Sequence, residues 1–137
     1  MKKNNGFTLL ELLVVIGIIG ILMAVGVVNY TKAQQKARDS IRKTELKQLQ
    51  NALELYKNDQ AVQAFPATWA SLVPNYVKAT PKDPREKGTA GSWSDYTYTP
   101  GAGLTYTLTA CLENINDPDG GAACSAGRGV LYTLTQP

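Results

Sequence analysis

The chain has 137 residues, of which 18% are charged, with a net charge of +3 and no histidine. This length allows one modest domain, and the lack of histidine excludes the usual serine and cysteine triads and the histidine metal sites. The chain has no basic block with interleaved aromatic residues and no glycine-rich phosphate loop, so nucleic acid binding is not indicated. A membrane-anchored enzyme or ligand-binding module is an alternative class that no residue set favours.

The first predicted element is an apolar segment over residues 7–28. Lys2 and Lys3 precede it, and Glu11 is its only charged residue. A helix of about 20 apolar residues spans a bilayer, so the segment is predicted to be a transmembrane helix. A charge inside such a segment is energetically unfavourable, which makes Glu11 a functional candidate that needs a partner.

A cleaved secretory signal is the alternative for this segment, because small residues occur near its end. The segment is longer than the usual apolar core of about 7–15 residues, and an acidic residue near its start hinders insertion. Neither glycine nor proline occurs from Val27 to Phe65, so nothing interrupts a helix that begins in the apolar segment. We therefore predict one helix over residues 8–59, about 78 Å long if continuous.

The second half of this helix, over residues 29–60, is predicted to be amphipathic. Its less polar residues recur mostly at steps of three or four: Tyr30, Ala33, Ala37, Ile41, Leu49, Ala52, Leu53 and Tyr56. Basic residues lie between them: Lys32, Lys36, Arg38, Arg42, Lys43 and Lys47. These charges are interpreted as a solvated face, with contact to phosphate headgroups or to an acidic partner as alternatives.

Beyond residue 60 the pattern changes from helix to strand and turn. Residues 61–95 are predicted to form a connecting loop with a proline-rich part. Residues 96–98, 104–112 and 130–135 alternate with a period of two, which is typical of half-buried strands, and residues 100–103 supply turn chemistry. The fold class is therefore α+β: a long N-terminal helix whose second half packs on a small antiparallel sheet over residues 96–137.

Cys111 and Cys124 are the two cysteines of the chain. A disulfide is the favoured interpretation, while two free thiols in a reducing compartment, or metal or redox chemistry, are the alternatives. The bond would stabilise the fold by about 3 kcal/mol in the chain-entropy model and would place the C-terminal part outside the cytoplasm. The basic residues after the apolar segment oppose this orientation by the positive-inside rule, and the disulfide is given more weight.

The residues from Gly6 to Ile16, GFTLLELLVVI, resemble the class III signal of type IV pilins and of the pseudopilins of type II secretion. The resemblance implies that residues 1–6 are a leader peptide, which a prepilin peptidase removes by cleavage between Gly6 and Phe7. The same enzyme then methylates the new N-terminus, so that Phe7 becomes N-methylphenylalanine. Glu11 is implied to pair with the N-terminal amine of a neighbouring subunit during assembly, which offsets its charge in the membrane.

The resemblance extends beyond the N-terminal segment. Residues 65–66, 72–77 and 81–84 are similar to the connection between helix and sheet in this family, and residues 95–103 are similar to its first hairpin. Many members carry a proline near the end of the membrane half of the helix, which this chain lacks. Three glycines there either weaken the helix or allow close helix packing: Gly17, Gly20 and Gly26.

The loop between the cysteines contains four oxygen-bearing side chains: Asn114, Asn116, Asp117 and Asp119. Major pseudopilins hold calcium in their C-terminal loops, so the resemblance makes these four residues a calcium candidate. The spacing departs from the EF-hand pattern, because Pro118 stands at the fifth position and no glutamate closes the loop. An ordinary turn-rich loop is the alternative, and no other cofactor is predicted.

The resemblance implies a structural subunit and not an enzyme. The predicted function is that of a major type IV pilin, which is a single-pass inner-membrane precursor before it polymerises into a helical cell-surface pilus. Its implied partners are further copies of itself, the prepilin peptidase, and the pilus assembly platform with its motor. The alternative is the major pseudopilin of a type II secretion or competence system, which would form a periplasmic pseudopilus; the cysteine-bracketed C-terminal region favours the pilin.

Overall fold

The computed structural model describes residues 6–85, 96–124 and 129–136. Residues 1–5 of the predicted leader and residues 86–95 of the predicted connection lie outside the described part. The elements are helix α1 (Leu9–Asp59), a short 3-10 helix (Trp69–Leu72), and strands β1 (Thr97–Pro100), β2 (Tyr106–Leu112) and β3 (Val130–Thr135). The chain divides into two compact units, Met1–Gln34 and Gln35–Pro137.

Helix α1 begins one residue later than predicted and ends where predicted. The backbone N–H of Leu12 donates to the carbonyl of Thr8 at 3.3 Å, so Thr8 is the N-cap and lies just outside the helix. The helix continues to Asp59 because no proline occurs before Pro66.

The first unit presents a long apolar surface in which Glu11 is the one charged side chain between Phe7 and Val27. Every described side chain from Phe7 to Val27 is exposed, and α1 is long and apolar enough in this part to cross a membrane by length and composition. Isolated exposed apolar side chains are common on soluble proteins, but an apolar surface this large requires a membrane or another protein.

The second unit contains a three-stranded antiparallel sheet with the strand order β1-β2-β3. Tyr98 pairs with Leu108 across the first ladder, and Ala110 pairs with Tyr132 across the second. The predicted alternation is confirmed in β2, where the four residues on one face are all buried: Tyr106, Leu108, Ala110 and Leu112. Strand β2 begins two residues later than predicted, because the β1–β2 turn extends to Thr105, whose carbonyl accepts a bond from Gly101 N–H at 3.0 Å.

The core of the second unit lies between this sheet and α1. Leu46, Leu49 and Leu53 of the helix are fully buried, with exposed fractions of 1% or less, and they belong to one apolar cluster with the inner face of β2. The predicted helix-on-sheet architecture is therefore confirmed. The predicted apolar helix face was partly wrong, because Ala37 and Ile41 are exposed.

Candidate functional site

The N-terminus of α1 holds Glu11 in a reciprocal capping arrangement. One carboxylate oxygen of Glu11, Oε2, accepts bonds from the backbone N–H and the hydroxyl of Thr8, both at 2.8 Å. In return the backbone N–H of Glu11 donates to the Thr8 hydroxyl oxygen at 3.3 Å. This is a capping box, which satisfies helix N–H groups that would otherwise lack partners. Sequence analysis did not identify it, although Thr8-Leu9-Leu10-Glu11 carries its spacing.

The predicted cleavage position lies immediately before this cap. Gly6 and Phe7 are in irregular backbone outside α1 and both are exposed, Phe7 with 82% of its surface. A peptidase that binds its substrate in extended form would therefore meet an accessible peptide bond between them. Glu11 thus lies in the first turn of α1, and Gly6 and Phe7 lie directly before the helix. The roles of these residues in processing and assembly remain predictions.

A buried ion cluster joins α1 to the rest of the second unit around Arg42. The Arg42 guanidinium is fully buried and donates two bonds to the carboxylate of Asp83, from Nε at 2.7 Å and from Nη2 at 2.8 Å. Its Nη1 donates to Asp39 at 2.7 Å and to Glu113 at 2.9 Å. Three carboxylates from the helix, the connection and the end of β2 therefore meet at one cation. Arginine suits this position because its planar group can serve several acceptors at once.

Glu113 of this cluster is held in its charged form. Burial alone would raise the pKa of Glu113, but hydrogen bonds from Arg38 and Arg42 outweigh it and lower that pKa below its ordinary value. Asp39 additionally accepts the backbone N–H groups of Glu113 and Asn114, both at 2.9 Å. The cluster consequently fixes the start of the cysteine-bracketed loop against α1. The prediction of a solvated face was wrong for Arg38 and Arg42.

The predicted disulfide is present between Cys111 and Cys124, whose Cα atoms lie 6.1 Å apart. Both cysteines are buried. Cys111 belongs to β2, and the backbone N–H of Cys124 donates to the carbonyl of Gly129 at 3.0 Å, next to the start of β3. The bond therefore closes the loop at its base while Asp39 holds its first residues.

The four calcium candidates lie on this loop, but an internal cation contacts two of them. The Lys43 ammonium of α1 donates to Asp117 at 2.6 Å and to Asp119 at 2.7 Å. Asn114 and Asp117 use side-chain oxygens to accept backbone N–H groups two residues on, as in ordinary Asx turns. Burial raises the pKa of Asp117, and the bond from Lys43 more than reverses this, so that its pKa is lowered.

A calcium ion in this loop would therefore compete with a lysine for the same oxygens. Within the described residues, no group of three or more histidine, cysteine, aspartate or glutamate side chains is arranged to hold a metal ion. Calcium prefers six to eight oxygen ligands, whereas the two carboxylates of this loop already share one ammonium group.

We expect added calcium to leave the melting temperature of the full-length protein in detergent unchanged. We expect Lys43→Met to lower the free energy of unfolding by about 1 kcal/mol or less, because the lysine is partly solvated. Calcium should then restore part of that loss, since the two carboxylates would lack a cation. Calorimetric melting with and without millimolar calcium measures both effects, and Lys47→Met is the matched control because Lys47 is exposed on the same helix. Stabilisation of the unaltered protein by calcium would contradict this expectation.

Comparison with known proteins places the N-terminal segment in a defined sequence family. The family model described as the prokaryotic N-terminal methylation motif matches residues 1–27. This match contains the predicted cleavage position and Glu11. No solved structure matches the chain significantly.

Three curated relatives illustrate the similarity, which covers 42% to 62% of this chain. The type II secretion system core protein G of Vibrio cholerae is 40% identical over 85 residues, which cover 62% of this chain and 57% of the relative. The type IV wide pilus major component PilA4 of Thermus thermophilus is 36% identical over 81 residues, 59% of this chain and 60% of the relative. The type IV major pilin protein PilA of Myxococcus xanthus is 41% identical over 58 residues, 42% of this chain and 26% of the relative. The matched part thus spans 26% to 60% of these relatives.

Proposed function

Because the chain belongs to the family of type IV pilins and type II secretion pseudopilins, we propose that it is a major type IV pilin, a subunit that polymerises into a helical filament on the cell surface. This family consists of structural subunits and not of enzymes, which supports a structural role for the chain. Pili and pseudopili are both represented among its relatives.

The observation that carries the proposal is the fully exposed apolar first unit with one carboxylate near its start. Residues 9–27 are too apolar to remain in water. Glu11 accepts bonds from Thr8 but has no opposite charge within the apolar segment, so its charge is unfavourable in lipid. Assembly with other copies resolves both problems, because apolar helices cover one another and the N-terminal amine of a neighbour meets the Glu11 carboxylate. Opposite charges attract strongly where water is excluded. The pairing would therefore favour one stagger between subunits.

Before assembly the subunit is a membrane-anchored precursor with its second unit outside the cytoplasm. The Cys111–Cys124 disulfide supports this orientation, since such bonds persist in oxidising compartments. The prepilin peptidase, the assembly platform and the motor are its proposed partners in the inner membrane. Cleavage between Gly6 and Phe7, followed by methylation of Phe7, would supply the N-terminus that pairs with Glu11 of another copy.

We expect Gly6→Ala to leave the leader uncleaved. A Cβ at Gly6 would meet no atom within 4 Å in the subunit, so the loss would arise in the peptidase and not in folding. Intact mass spectrometry of the membrane fraction measures the outcome, with Gly26→Ala as a control that adds the same methyl group in open space further along α1. A mutant subunit that begins at Phe7 would contradict the proposed processing.

The major pseudopilin of a secretion or competence system is the second candidate. It is favoured by the similarity to the type II secretion system core protein G of several bacteria. The disulfide-closed loop, held to α1 by Asp39 and Lys43, favours the pilin because pilins commonly carry a cysteine-bracketed C-terminal region.

Deletion of the gene followed by electron microscopy of sheared cell surfaces distinguishes the two candidates. A pilin deletion removes surface filaments, and mass spectrometry of filaments from the parent strain identifies this chain as their main component. A pseudopilin deletion leaves surface filaments in place and abolishes secretion or DNA uptake. The second result would overturn the assignment as a pilin, and the chain would then be a pseudopilin subunit.

A further inference from the structure

The second unit carries an open polar recess beside the part of α1 with which it begins. The recess has a volume of about 430 Å³, and its lining includes Lys36, Ser40 and Asn116. All three residues are exposed. Lys36 and Ser40 lie four positions apart on α1, so their side chains share one face of the helix.

These three side chains are available to a ligand. Among the described residues, no hydrogen bond or ion pair engages the Lys36 ammonium, the Ser40 hydroxyl or the Asn116 side-chain amide. An ammonium, a hydroxyl and an amide can all donate hydrogen bonds. A group that carries negative charge and accepts bonds from several donors would therefore fit the recess.

The carboxylates near the recess are already bonded within the second unit. Asp39 accepts bonds from a buried arginine and from two backbone N–H groups. Asp117 and Asp119 both accept bonds from Lys43, at 2.6 and 2.7 Å. Lys36 is the lining cation that no described carboxylate compensates. Charge complementarity therefore favours an anionic group on the α1 side of the recess, next to Lys36.

Lys36 also lies close in the chain to the end of the apolar segment. It comes eight positions after residue 28, which corresponds to about 12 Å of helix. Headgroups extend about 5–7 Å beyond the hydrocarbon core on each side of a bilayer. Side chains on a helix point back toward its N-terminus, which in α1 is the end with the apolar segment. Lys36 can therefore extend toward the headgroups, as lysines near the ends of membrane helices do.

We infer that Lys36, with Ser40 and Asn116, binds the phosphate group of a phospholipid in the leaflet next to the second unit. This inference rests on the membrane-anchored precursor of the proposed function. Phosphate suits these donors because it is anionic and offers several acceptor oxygens, and lysine is a common phosphate ligand. The contact would hold the precursor at one height in the bilayer. It would also give a role to a basic residue that follows the apolar segment against the positive-inside rule.

Lipid binding by the full-length precursor in detergent provides the test. Phosphatidylglycerol is titrated and its retention is measured by native mass spectrometry, with diacylglycerol, which has the same tails and no phosphate, as the control lipid. Lys36→Gln should weaken retention of phosphatidylglycerol about fivefold, a factor that corresponds to about 1 kcal/mol for one basic residue near a lipid surface. Diacylglycerol retention should not depend on Lys36.

Lys47→Gln is the matched control variant. It removes the same charge from an exposed position about 16 Å further along α1, so it should retain phosphatidylglycerol like the parent. Lysine and glutamine have similar helix propensities, so neither variant should change folding. Lys36→Arg keeps the charge and should retain the lipid. Ser40→Ala removes one donor and should weaken retention by less than Lys36→Gln.

Three results would overturn the inference. The first is unchanged retention by Lys36→Gln, and the second is equal weakening by Lys36→Gln and Lys47→Gln, which would show unspecific attraction of lipid to basic residues. The third is displacement of the lipid by millimolar inorganic phosphate with the same dependence on Lys36, which would show a site for free phosphate.

Filament yield, recorded in parallel, separates this inference from the proposed function. A Lys36→Gln precursor that retains lipid normally but forms no filaments would indicate an acidic protein partner and would overturn the inference. A parent chain that forms no filaments would overturn the proposed function, while lipid retention by the precursor would still decide the inference.

Discussion

Arg42→Met is expected to lower the free energy of unfolding of the second unit by about 3–5 kcal/mol, because breaking a buried ion pair on one side leaves charge without compensation. Asp39, Asp83 and Glu113 would lose their common cation, and all three are nearly or fully buried. Methionine has similar length and no donor. Chemical denaturation of the full-length protein in detergent, followed by near-ultraviolet circular dichroism, measures the change.

Two further variants separate charge from geometry at this cluster. Arg42→Lys keeps the charge but cannot form the paired bonds to Asp83, so an intermediate loss is expected. Arg38→Met removes a cation whose side chain is 27% exposed and contacts Glu113, and its loss should be near 1 kcal/mol. An Arg42→Met protein no less stable than the Arg38→Met protein would contradict the central role of Arg42.

Glu11→Gln is expected to abolish filament formation while the precursor still inserts and is processed. The amide can accept the bonds from Thr8 that Oε2 accepts now, so the helix cap is retained. It carries no charge and cannot attract the N-terminal amine of a neighbour. Counting filaments on cells that express the variant, together with the mass of the membrane-bound subunit, separates assembly from processing.

The companion variant Thr8→Val removes the cap and keeps the charge, which is the reverse of Glu11→Gln. It removes the hydroxyl of the capping box and keeps the Glu11 carboxylate. If charge is what assembly requires, this variant should form filaments, with a helix start weakened by about 1 kcal/mol. Filaments of ordinary abundance from Glu11→Gln, or none from Thr8→Val, would reverse the assignment and make the cap the essential feature.

Sequence patterns predicted α1 and the strands well because each of these elements depends on residues that are close together in the sequence. The absence of glycine and proline after Val27 predicted the long helix, and the period of two predicted β2. The 3-10 helix at Trp69–Leu72 was not predicted, since four residues carry too little pattern.

The ion clusters could not be predicted in this way. Arg42 meets Asp83 from 41 positions away, and Lys43 meets Asp117 from 74 positions away. Helical periodicity assigns charged residues to water unless a distant partner is known, so it predicted that Arg42 and Lys43 face solvent. It also predicted that the apolar residues Ala37 and Ile41 belong to the core, whereas both are exposed. The capping box, in contrast, could have been predicted from the sequence, because Thr8 and Glu11 are only three residues apart.

The capping box also bears on whether a subunit can be used more than once. All of its bonds involve Thr8 and Glu11, so they survive removal of residues 1–6. If the chain is processed and assembles as proposed, a subunit that leaves a filament retains both capping residues, and its Glu11 carboxylate can again accept the bonds from Thr8. In the proposed assembly, the carboxylate would exchange its bonds to Thr8 for the N-terminal amine of a neighbouring copy. The same carboxylate would therefore stabilise the start of α1 in the free subunit and the contact between copies in a filament.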